Sequence, residues 1–137
     1  DTSYHGVYLY SDHHSMSLMG ICQDNGGTGP EVAWTENDLD TLRHESVHFI
    51  QDCLTKTVDG TMAPLYDGPG GISPIDYGIQ DVIAEIGIEH ATDIVARYEQ
   101  QGASEDVIVL ELEAFFLAST QSPEDIAAVM SGVCPTP

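Results

Sequence analysis

The chain has 137 residues, the usual length of one domain, and sets 3 Lys and Arg against 23 Asp and Glu, so its formal charge is 3 − 23 = −20. With Arg43, Lys56 and Arg97 as its only fixed cations, it cannot neutralise phosphates, which excludes nucleic acid and anionic membrane surfaces as partners. Apolar residues at 42%, six Tyr and three Phe exclude a disordered chain, and no apolar run approaches the roughly 18 residues of a membrane span.

The first third reads as strands. Tyr4 to Tyr10 alternates, with Tyr4, Gly6, Tyr8 and Tyr10 on one face and His5, Val7 and Leu9 on the other. Ser11 to Ser15 has the polarity of a turn and Met16 to Cys22 resumes the alternation, which predicts an antiparallel hairpin. Asp24 to Pro30 has loop chemistry, and a short extended piece over Glu31–Trp34 follows. Thr35 with Asp38 three residues later forms a capping-box signature, opening a long helix from about Glu36 to Lys56. The glycines and prolines between Val58 and Gly71 break every period and make a long loop. Ser73-Pro74 then starts a helical pattern, Ile75 to about Glu99, which Gly87 breaks or kinks. Ser104 caps a helix from Glu105 to about Ser119, and Ser122-Pro123 opens a last short one. The expected fold class is α+β: an N-terminal hairpin or small sheet packed on a mainly helical domain spanning residues 1–137.

The first long helix contains His44-Glu45-Ser46-Val47-His48. Two histidines four apart leave one face of a helix and can grip one metal ion, while Glu45, about 100° around the axis, reaches a water on the open side of that metal. The bland alternative is two histidines bonded to solvent or acidic neighbours. Further along, Glu111 and Glu113 stand inside the otherwise apolar run Val109–Ala118, where charge needs a reason. Two residues apart, they point about 200° from each other, so only one can face the His-bearing helix. Glu111 shares its face with Ala114 and Ala118, whose small side chains allow close approach; Glu113 is the competitor.

The HExxH string at 44–48 resembles that of the zincin metallopeptidases. Gln51 and Leu54 stand where the metzincin branch has Gly and its third ligand, so that branch does not fit. The Glu-x-Glu-Ala-x-x-apolar-Ala pattern over 111–118 is similar to the ligand helix of small gluzincin-like peptidases, and the resemblance implies Glu111 as third ligand of a Zn²⁺ also held by His44 and His48, with Glu45 catalytic. The family pattern often has Asn or Asp four residues after the ligand Glu to orient a His; here that residue is Phe115. The resemblance covers two helical segments only.

The expected function is therefore zinc-dependent hydrolysis of peptide bonds in a peptide or protein substrate, with cationic peptides favoured by the acidic surface. The rival from another class is a non-catalytic metal-binding or interaction module that keeps the same helix. Tyr66, Tyr77, His90 and Tyr98 compete for the group that stabilises an oxyanion opposite the metal. Gln51 and Asp52 are placed to brace the ligands, whereas adjacent His13 and His14 suit a solvated turn. The acidic surface and the start at Asp1 without Met suggest a mature secreted chain, or a trimmed one, in a saline or extracellular setting. If secreted, the chain is expected to join Cys22 to Cys53 and leave Cys134 over.

Overall fold

A computed structural model describes residues 6–11, 13–14, 16–27, 29–55, 58–66 and 77–134. Strands β1 (Gly6–Ser11) and β2 (Met16–Ile21) form an antiparallel hairpin in which Gly6 faces Ile21 and Ser11 faces Met16. Five helices follow: α1 (Glu36–Cys53), α2 (Ile79–Ile86), α3 (Ile88–Gln100), α4 (Glu105–Thr120) and α5 (Pro123–Val133). The α+β expectation is borne out. Tyr4 and His5, and the Ser73-Pro74 helix start, lie outside the described residues.

The hairpin lies on α1. Gly6 is required there by close approach, since a Cβ on it would stand 2.6 Å from Thr41 Cγ2 and 3.1 Å from Glu45 Cγ. Tyr8 donates its hydroxyl to Asp52 at 2.7 Å and sets its ring against Phe49. The expected strand faces are therefore correct: Gly6 and Tyr8 look inward, whereas Leu9 is exposed. The extended piece expected at 31–34 is absent; Val32 N–H donates to Gly29 O in a turn instead.

The capping box of α1 forms as read, with Asp38 N–H donating to Thr35 Oγ1 at 3.1 Å and Thr35 N–H donating to Asp38 Oδ2 at 2.9 Å. Asp38 is completed by the N–H of Asp24 at 2.9 Å, which ties the preceding loop to the helix start. The helix ends at Cys53, not Lys56, because Thr55 N–H and hydroxyl both turn back to Asp52 O.

Gly87 divides the 75–99 segment outright. With φ at 90°, a conformation that side chains other than glycine's resist, it accepts the first hydrogen bond of α3 and donates the last of α2. Serine side chains cap α4 and α5 as expected. Helix α4 is apolar nearly all round because α1, α2 and α3 all pack on it. Ala114 and Leu117 of α4 meet Val47 and Ile50 of α1, with Leu65, Val82 and Ile126 closing the core.

The disulfide differs from the expectation. Cys53 pairs with Cys134 across 81 residues of sequence, with Cα atoms 4.9 Å apart, and Cys22 is an exposed free thiol. The reason is the end of α1: Cys53 faces the core, and α5, which packs on α1, brings Cys134 to it, while the hairpin turns Cys22 out to solvent. Thiol titration of the native, unreduced protein should count one reactive cysteine, and Cys22→Ser should abolish it. Reduction should cost about 3–5 kcal/mol of stability, as expected for a loop of this length, seen as a lower denaturation midpoint.

Candidate metal centre

Helix α1 buries an unusual line of polar side chains: Asp38, Thr41, His44, Glu45, His48, Gln51 and Asp52. Buried polar groups are costly unless paired, so each must find a partner. Thr41 donates to Asn37 O at 2.9 Å, and Asp52 accepts from Tyr8 and from the N–H groups of Asp59 and Gly60. These bonds fix the helix, the hairpin and the start of the 58–66 loop to one another. His44, Glu45 and His48 remain, and one donor atom from each lies within 4.8 Å of the others.

Glu111 reaches the same point from α4. Its Oε1 stands 3.1 Å from His44 Nε2 and 3.2 Å from His48 Nε2. Ligands at about 2.0–2.1 Å around a tetrahedral zinc are roughly 3.3 Å apart, so Glu111 Oε1 stands from each histidine nitrogen at the spacing of two ligands of one ion. Close helix packing makes this possible: Ala114 and Ala118 are buried, and Arg43 Nε donates to Ala118 O at 3.1 Å.

Hydrogen bonding dictates which His48 nitrogen is free. Gln51 Nε2 donates to Leu110 O at 3.0 Å and to Glu113 Oε1 at 2.9 Å, so its Oε1 is the end that faces His48 Nδ1 at 2.7 Å. His48 Nδ1 must therefore carry the proton. In the neutral ring, Nε2 then presents a lone pair to a carboxylate oxygen, an arrangement that demands a cation: a proton or a metal ion. Burial works against a charged His48 ring, but the bond to Glu111 and the Glu111 charge outweigh it, and its pKa stands above the ordinary value. Burial likewise pushes Glu111 up, yet its bonds to His44 and His48 hold it well below the usual carboxylate range. For Glu45 burial prevails over the two rings, so its pKa is raised. That places a stronger proton acceptor than an ordinary glutamate beside the cluster.

Glu113 faces the other way. Fully buried, it accepts from Gln51, from Leu65 N–H at 2.7 Å, from Tyr66 N–H at 3.0 Å and from the Tyr77 hydroxyl. It is thus two bonds removed from His48, and holds the loop as well. The expected bracing by Gln51 is present, whereas Asp52 braces the fold and touches neither histidine. His44 Nδ1 is buried without a partner, and Phe115, its ring centroid 4.4 Å from that of His44, occupies the place where the family pattern has an orienting carboxylate or amide.

A cleft of about 640 Å³ opens beside the cluster. Gly6, Val7 and Tyr8 of β1 form one margin, and His90, Arg97 and Tyr98 of α3 the other. No protein-family model matches the chain, and it matches neither a curated protein nor a solved structure. Of the four residues weighed for the oxyanion, His90 and Tyr98 line the cleft. Tyr77 does not, being bound to Glu113 and set edge-on to Tyr66. Arg97 was not anticipated as a cleft residue; only the folding of α3 against α4 brings it there.

Proposed function

We propose that the chain is a zinc-dependent peptidase in which His44, His48 and Glu111 hold the metal. The observation that carries the reading is the convergence of two imidazole nitrogens and one carboxylate oxygen, with the His48 proton committed to Gln51. The donor set fits zinc, which when bound would supply Lewis acidity beside Glu45. Glu45 takes the proton of the attacking water and returns it to the leaving amine, for which its raised pKa suits it. Tyr98, whose hydroxyl lies against Glu111, and His90 stand where they can donate to the developing oxyanion. The same donor types serve iron(II) oxygenases, but those need no base at the position Glu45 occupies.

The cleft favours turnover over a closed structural site. Among the described residues β1 pairs only with β2, so the margin formed by Gly6–Tyr8 offers backbone groups to an extended peptide. The charge of −20 attracts cationic peptides from a distance. No described helix is long and apolar enough to cross a membrane, and the disulfide suits an oxidising, extracellular setting.

Elemental analysis of protein purified without chelator or affinity-tag metal tests the reading, the expected result being close to one zinc per chain. A protein that contains none and takes up none ends it. Glu45→Gln should keep the zinc and lose peptide hydrolysis, because its role is proton transfer. Loss of both would instead make Glu45 a ligand and the site a closed one.

A further inference from the structure

Arg97 stands out in a chain so rich in carboxylates. Of the described arginines, Arg43 is engaged with Asp40 at 3.5 Å and with Ala118 O, while Arg97 forms no ion pair with any described residue. Asp93 lies one turn before it on α3, the spacing and order at which an acid and an arginine pair most readily on a helix. Arg97 does not take that partner; its side chain lines the cleft. His44, Glu45, His48 and Glu111 line the same cleft, so the solvent-exposed Arg97 shares one cavity with the cluster. Gln101, the residue that caps the end of α3, adds a neutral amide to the same wall.

A guanidinium presents a planar fork of N–H donors whose best partner is a carboxylate bound through both oxygens. In a chain of net charge −20, a fixed cation in the cleft with no ion-pair partner among the described residues marks a place where an anionic group is accepted. We propose that Arg97 anchors a carboxylate of the substrate, next to the bond that is cut. The proposal rests on the peptidase reading of the cleft and adds to it a substrate class: peptides carrying a carboxylate close to the scissile bond, from a free C-terminus or an Asp or Glu side chain. The long-range field and the local anchor are compatible, because a peptide with a basic body and one carboxylate near the cut satisfies both.

The test uses the zinc-loaded full chain and acetylated peptides of one common sequence ending either in a carboxylate or in an amide, with two further amide-ended forms containing Asp or Asn beside the cut. The carboxylate-ended peptide should exceed its amide by on the order of 10- to 100-fold in kcat/KM, mainly through KM, as for a charge-assisted bond. Arg97→Gln should erase the difference between the two peptides, and Arg97→Lys should restore part of it. A preference for Asp over Asn instead of for the free end would assign the carboxylate to a side chain. If no peptide is cleaved, the peptidase reading fails by itself, and binding of the same peptides to Glu45→Gln protein by calorimetry decides about Arg97. Equal binding of carboxylate and amide, and of Asp and Asn forms, or a preference that survives Arg97→Gln, overturns the proposal.

Discussion

Glu111→Ala should lower zinc affinity by more than the roughly 10- to 100-fold that loss of an outer-sphere group costs, because it removes one of three protein donors and the only one with a charge aimed at both histidines. Its Oε1 stands 3.1 Å from His44 Nε2 and 3.2 Å from His48 Nε2, the other two donors proposed for the ion. His44→Ala should be equally damaging. Competition against a zinc chelator reads both variants directly, and folding can be checked independently by circular dichroism. An affinity for Glu111→Ala within tenfold of the parent would move the third ligand elsewhere.

Glu113→Ala should do the opposite. Its carboxylate gathers Gln51, two loop N–H groups and the Tyr77 hydroxyl in a fully buried place, and its removal strands donors that water reaches poorly. The expected loss is about 3–5 kcal/mol, in the range of a broken buried network, read as a lower midpoint in urea. Zinc affinity should fall by only about tenfold, because His48 keeps Gln51 as its immediate partner. The contrast between the two glutamates separates a group that holds an ion from one that holds the fold. If Glu113→Ala weakens zinc binding more than Glu111→Ala does, the roles assigned to α4 are reversed.

Local signals in the sequence carried far. The Thr35–Asp38 capping box, the serine caps at Ser104 and Ser122 and the two-residue alternation of the hairpin each depend on bonds within a few residues, and each formed where expected. The two helical positions of His44 and His48 were legible for the same reason. Glu111 was reachable through the small residues on its face, since close helix packing leaves a pattern of alanines. The disulfide was not, because Cys53 and Cys134 are joined by the way α5 folds back on α1, and nothing local to either cysteine encodes that path. Glu113 and Arg97 are similar cases. Glu113 resembles a misplaced charge until the loop at Leu65–Tyr66 arrives to donate to it, and Arg97 passes for an ordinary helix-surface arginine until α3 meets the cleft. Phe115 marks a place where the resemblance and the site part: its ring packs against His44, and His44 Nδ1 meets no acceptor.

The Cys53–Cys134 link also closes residues 53–134 into a covalent ring that contains Glu111 and is anchored at the end of the helix bearing His44 and His48. A protease that nicks the backbone between Asp59 and Met62 cuts the path from His48 to Glu111, yet the two pieces stay one molecule, since each keeps one of the joined cysteines. Electrophoresis without reductant should then show a single band of unchanged mass, and with reductant two. Helices α1 and α4 remain pressed together in the nicked form by the packing of Val47 and Ile50 against Ala114 and Leu117. If the cluster binds zinc as proposed, the nicked protein should keep the ion and lose it only when the sulfur bridge is opened and the halves are free to diffuse apart.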